Sequence, residues 1–114
     1  MSKLQAQIGQ HTYRFWIRID STSEFPEKVR AFVNGIRHNR RFSSHVRTFT
    51  DNRLICTAPL FDKVQADLDV MGSCTASLFA EDTSTHKMRK VIDKCKMYGN
   101  DKDNYDKLLR MIRS

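Results

Sequence analysis

The chain has 114 residues, with 20 Lys and Arg against 13 Asp and Glu and a formal charge of +7, which makes one small basic domain and leaves no room for two. With 39% hydrophobic residues, four Gly and two Pro, it is neither low in complexity nor disordered in composition. No apolar run approaches a membrane span and none near Met1 marks a secretory signal, so a cytoplasmic, reducing location with no membrane partner is expected.

Residues 1–10 read as a flexible polar leader, and 11–114 as a single α+β domain whose residues 82–114 form a helical C-terminal extension. From 12 to 20 the chain alternates with period two: Tyr13, Phe15, Ile17 and Ile19 share one face, and Arg14, Trp16, Arg18 and Asp20 the other, which predicts a strand. Phe25, Val29, Phe32, Val33 and Ile36 then fall on one side of a helix over 23–39, with Pro26 in its first turn. Residues 44–50 and 53–58 are β-branched and aromatic runs separated by Asp51 and Asn52, a hairpin signal. A second helix opens at Pro59, with Phe61, Val64, Leu68 and Met71 on one face and Gly72 as its stop.

Residues 73–81 alternate again, with Cys74, Ala76, Leu78 and Ala80 on one face and Thr75, Ser77, Phe79 and Glu81 on the other, predicting a fourth strand. Beyond it, Met88, Val91, Ile92 and Cys95 stand at helical spacing after the polar cluster Thr83, Ser84 and Thr85. Tyr105, Leu108, Leu109 and Ile112 repeat that spacing. Two C-terminal helices are therefore expected.

The order strand, helix, strand, strand, helix, strand is that of the ferredoxin-like βαββαβ arrangement, a four-stranded antiparallel sheet with helices on one face, here with two additional C-terminal helices. In element order this topology resembles the RNA-recognition-motif type of domain. The third-strand signature of that family, a basic residue, Gly and interleaved aromatics, is absent from 50–57, so no family residues are carried over. Acylphosphatase-like enzymes share the order and hold phosphate in the loop after the first strand. The corresponding loop here, 20–24, is acidic and free of Gly.

The charge is unevenly placed: residues 1–58 hold ten Lys and Arg against four Asp and Glu, and residues 59–114 hold ten against nine. The first half is also the arginine-rich half, and guanidinium groups fork onto phosphates and stack on flat rings. An outward Trp16 between Arg14 and Arg18 is suited to stacking a base and holding its phosphates. In the hairpin, a two-residue turn puts His45, Arg47, Phe49, Leu54 and Cys56 on one face, and the cost of burying Arg47 favours that face outward. Arg53 and the cluster Arg37, Arg40 and Arg41 extend the basic surface. The competing expectation is that a C-terminal helix lies over the open sheet face and turns Trp16 into core.

Cys56, Cys74 and Cys95 are odd in number and far apart, with no Cys-x-x-Cys pair and no His at ligand spacing. Neither disulfides nor a metal centre are expected, and they read as small core residues. No Gly-rich phosphate loop, H-E-x-x-H or G-x-S-x-G occurs, and no cofactor or catalytic motif is present. The sequence thus predicts a small non-enzymatic protein that binds RNA or single-stranded DNA through Arg14, Trp16, Arg18, Arg37, Arg40, Arg41, His45, Arg47, Phe49 and Arg53. The alternative is a regulatory or inhibitory protein, of viral or mobile-element type, that docks on an acidic protein surface. The apolar stripe at Tyr105, Leu108, Leu109 and Ile112 offers a way to pair with a second copy.

Overall fold

A computed structural model describes residues 12–97 and 102–113, so the leader assigned to residues 1–10 lies outside the described residues. In chain order the elements are β1 (Tyr13–Ser21), α1 (Glu27–Arg37), a 3₁₀ turn (Ser43–His45), β2 (Val46–Phe49), β3 (Arg53–Cys56), α2 (Ala58–Asp69), β4 (Cys74–Asp82), β5 (Met88–Lys96) and α3 (Lys102–Arg113). The protein is α+β, with three helices and a five-stranded antiparallel sheet in the order β2-β3-β1-β4-β5.

β1 is the middle strand. Its period-two pattern sends Ile17 and Ile19 into the core with no exposure, together with Leu54 and Cys56 of β3 and Cys74, Ala76 and Leu78 of β4. Val29 and Val33 of α1, Leu60, Phe61, Val64 and Leu68 of α2, and Tyr105, Leu108 and Ile112 of α3 close over the same face. Each large side chain fully buried there contributes about 1.5–3 kcal/mol. The edge of the Tyr105 ring meets Phe61, with centroids 6.4 Å apart at 83°, and Arg113 reaches back to Asp62 and Gln65 of α2 at 3.0 and 3.2 Å. One layer of helices on one sheet makes the shortest dimension only 21 Å.

Two expectations are corrected. The sheet has five strands rather than four, because the segment expected as the first of two additional helices is β5. Its pairing with β4 is irregular: Ala76 faces Cys95 but Leu78 faces Ile92, and Phe79 faces Lys90, so β5 spends an extra residue at each step. Such bulges break period two and space the inward side chains three apart, which imitates a helical repeat. The polar cluster before it is a hairpin turn rather than a helix cap. Asp82 Oδ1 accepts from the amides of Ser84 and Thr85 at 2.8 and 3.3 Å, and His86 takes φ 62° to bring the chain back. Short oxygen-bearing side chains satisfy free amides equally in a turn and at a helix start, so the two read alike in sequence.

As for the competing expectation of a helix over the open face, α3 packs beside α2 and does not lie there. Among the described residues no helix covers the outer face of the sheet, and none is long and apolar enough to cross a membrane. α2 ends at Asp69, three residues before Gly72, the expected stop, which takes φ 70°, a conformation that glycine adopts without strain.

Candidate functional site

The outer face of the sheet is built from the residues that alternate away from the core: Arg14, Trp16, Arg18 and Asp20 of β1 beside Thr75, Ser77, Phe79 and Glu81 of β4. Trp16 lies directly opposite Phe79, which gives this face an aromatic floor at the middle of the sheet. The indole is not open to solvent as expected; Trp16 is only 5% exposed although no helix of the described residues lies on it.

Arginines cover it. The Arg14 guanidinium carbon sits 4.7 Å from the indole centroid and that of Arg47 sits 5.3 Å from it, both within cation–π range. Arg14 also donates to the carbonyl of Ser44 at 3.3 Å, which ties the loop before β2 to this end of the sheet. Arg18 lies 5.2 Å from the Phe79 centroid and Lys90 5.9 Å from it. Opposite Arg18 stands the buried Ser77, whose small side chain leaves room for the guanidinium to fold down beside Phe79.

Carboxylates set the positions of these cations. Trp16 Nε1–H donates to Glu81 Oε1 at 2.7 Å, Arg47 Nη1 approaches the same oxygen at 3.3 Å, and His86 Nδ1 lies 3.4 Å from Oε2. These contacts hold the Glu81 carboxyl below the usual glutamate range, the indole hydrogen bond most of all and against the opposing effect of burial. Asp20 accepts from Arg18 Nε at 2.9 Å and from Arg53 Nε at 2.6 Å, one oxygen to each. Asp20 engages both residues through Nε, so Arg53, with its side chain 47% exposed, turns its Nη groups toward solvent, whereas Arg18 is largely covered.

The hairpin decides which sequence-derived residues belong here. Phe49 pairs with Leu54 and Thr48 with Ile55 as expected, but Val46 rather than Arg47 faces Cys56, because a bulge intervenes at Arg47. The bulge separates the set expected on one face. Arg47 turns outward to Trp16 and Glu81, while Phe49 turns inward and stacks on Phe25, with centroids 6.1 Å apart at 4°. The expected outward Phe49 is thereby corrected, and a core position for it relieves the sheet of a second exposed ring.

His45 is likewise not on this face. It precedes β2 in the 3₁₀ turn, half-buried, with Nδ1 2.6 Å from Thr57 Oγ1. Arg37, Arg40 and Arg41 are exposed at and beyond the end of α1, where Arg37 Nη1 reaches the Phe49 carbonyl at 3.5 Å. The structure therefore brings together Arg14, Trp16, Arg18, Arg47 and Arg53 and leaves Arg37, Arg40, Arg41, His45 and Phe49 elsewhere. The sequence reading missed Asp20, Phe79, Glu81 and Lys90; the polar phase of 73–81 held two of them, and aligning it against β1 is what identifies them.

All three cysteines are buried and joined in no disulfide among the described residues, and burial pushes the Cys56 and Cys74 thiols upward. Among the described residues no group of three or more His, Cys, Asp or Glu is placed to hold a metal ion. Comparison with protein-family models, curated proteins and solved structures found no match.

Proposed function

We propose that the outer sheet face is a binding surface for single-stranded nucleic acid and that the protein acts by binding rather than by catalysis. The observation that carries this reading is the floor of Trp16 and Phe79 beneath Arg14, Arg47 and Arg18 on a sheet face over which no helix of the described residues lies. Bases stack on guanidinium groups as well as on rings, so Arg14 and Arg47, already against the indole, extend the stack outward to a base. The Nη groups of the exposed Arg53 suit the oxygens of a phosphodiester, with Asp20 holding that guanidinium beside Arg18. The strand order β2-β3-β1-β4, with α1 and α2 behind it, supports a ferredoxin-like unit to which β5 and α3 are added.

The test is fluorescence anisotropy of labelled RNA and DNA oligonucleotides against salt. Micromolar affinity at about 50 mM salt is expected, weakening with a log–log slope of about 0.7 for each phosphate neutralised. Arg14→Ala and Arg53→Ala each lower that slope, whereas Arg110→Ala on α3 leaves it unchanged. Millimolar affinity, or affinity indifferent to salt, sinks the proposal.

A further inference from the structure

On the helix side of the molecule, Phe32 and Ile36 of α1, Phe42, His45 and Pro59, Leu60 and Lys63 of α2 line a groove of about 280 Å³. Phe32 and Phe42 are 41% and 38% exposed, more than any other phenylalanine among the described residues. The groove is open, almost wholly apolar along its walls, and large enough for one or two side chains of a partner.

Its rim is of one sign. Lys63 stands on the wall and Arg41 lies 5.6 Å from the Phe42 centroid. Among the described residues no carboxylate lines the groove itself. Beside it, Asp67 lines an adjoining hollow with Lys28 and pairs with that lysine at 3.5 Å, while Asp62 faces Arg113 of α3. An apolar slot with cationic borders selects a ligand with the opposite arrangement, an apolar anchor between carboxylates.

We propose that the α1–α2 groove binds an acidic amphipathic segment of a protein partner, which inserts a Leu or Phe side chain between Phe32 and Phe42 and sets its carboxylates against Lys63 and Arg41. This surface lies in the helix layer, opposite the sheet face, and does not depend on the nucleic-acid reading. An oligonucleotide lacks the apolar anchor that the walls require, although the cationic rim alone would attract one.

The experiment titrates the full chain, labelled with ¹⁵N, with a short fluorescein-labelled peptide carrying Leu and Phe one helical turn apart among Asp and Glu. Saturable binding is expected, with amide shifts at Phe32, Ile36, Phe42 and Lys63. Lys63→Glu and Phe32→Ser, both at exposed positions, weaken it by about tenfold or more, while thermal unfolding confirms that these variants remain folded. A peptide with Lys in place of the acids, or Ala in place of Leu and Phe, fails to bind. The proposal is overturned if the Ala peptide binds as well as the parent, if the shifts fall on Trp16 and Phe79, or if an oligonucleotide binds the groove more tightly than the peptide. It is equally overturned if the protein dimerises in sedimentation and Phe42→Glu makes it monomeric, since a second copy then fills the groove.

Discussion

Trp16 on β1 and Glu81 on β4 are joined across the outer face of the sheet by a 2.7 Å hydrogen bond, although the register sets Trp16 opposite Phe79 and Glu81 opposite Arg14. The bond runs diagonally between strands, and Arg47 from β2, on the far side of β3, reaches the same carboxylate. One acidic side chain thus connects three strands and places both the ring and one of the guanidiniums over it.

Removing that carboxylate leaves the indole N–H buried without an acceptor and frees Arg47. Glu81→Ala is expected to destabilise the protein by about 2–3 kcal/mol, and Glu81→Gln, which keeps an acceptor oxygen but not the charge, by about 1 kcal/mol. Urea unfolding followed by Trp16 fluorescence measures both. An alanine variant as stable as the parent contradicts the role assigned to Glu81.

The same site makes stability depend on acidity. The folded Glu81 carboxyl titrates below the unfolded value of about 4.3, chiefly because the Trp16 indole donates to the ionised form. Its contribution is therefore fully present above that value and is lost as pH falls through the lowered folded one. The stability difference between the parent and Glu81→Gln is expected to be constant near neutrality and to vanish in acid. Taking the difference cancels Asp93, whose carboxyl is also held low, first by the Lys94 amide. A gap that persists unchanged into strong acid contradicts this account.

The arginine cover over Trp16 has a direct optical readout, because this is the chain's single tryptophan. Acrylamide is expected to quench the parent weakly. Arg14→Ala and Arg47→Ala each raise the quenching constant, and the double variant raises it further with the fold intact by circular dichroism. Equal quenching in all four proteins means that something other than the guanidiniums shields the ring.

Phe49 distinguishes the two faces of β2. Its ring stacks on Phe25 inside the molecule, so Phe49→Ala is expected to lower stability by about 2 kcal/mol and to leave oligonucleotide affinity per folded molecule unchanged. Arg47→Ala, two residues earlier, has the reverse pattern: weaker oligonucleotide binding with a smaller loss of stability. Anisotropy and urea midpoints on the two variants decide it.

The parts legible in the sequence were those with one undisturbed period. β1, α1, α2, β4 and α3 each keep a regular apolar repeat, and their positions follow from it to within a few residues. Where a bulge adds a residue, the pattern misleads. β5 took on a helical spacing from its two irregularities, and the single bulge at Arg47 divided a face that a regular hairpin would have kept whole. The arginine-flanked tryptophan was visible from alternation alone, but its cover was not. That cover depends on Arg47 and Glu81, 31 and 65 residues from Trp16 in the chain, and only the strand order β2-β3-β1-β4 brings them together.

The central position of β1 has a consequence for how the protein is made. β1 precedes every other described element, yet both of its edges are satisfied only by β3 and β4, and the link from Thr12 to Thr83 spans 71 residues. During synthesis its apolar face and its unpaired backbone wait until residue 82 has cleared the ribosome, so closure of the sheet is a late and non-local event. Stalled nascent chains ending before β4 are expected to be protease-sensitive throughout β1, and chains extending past β5 to be protected there.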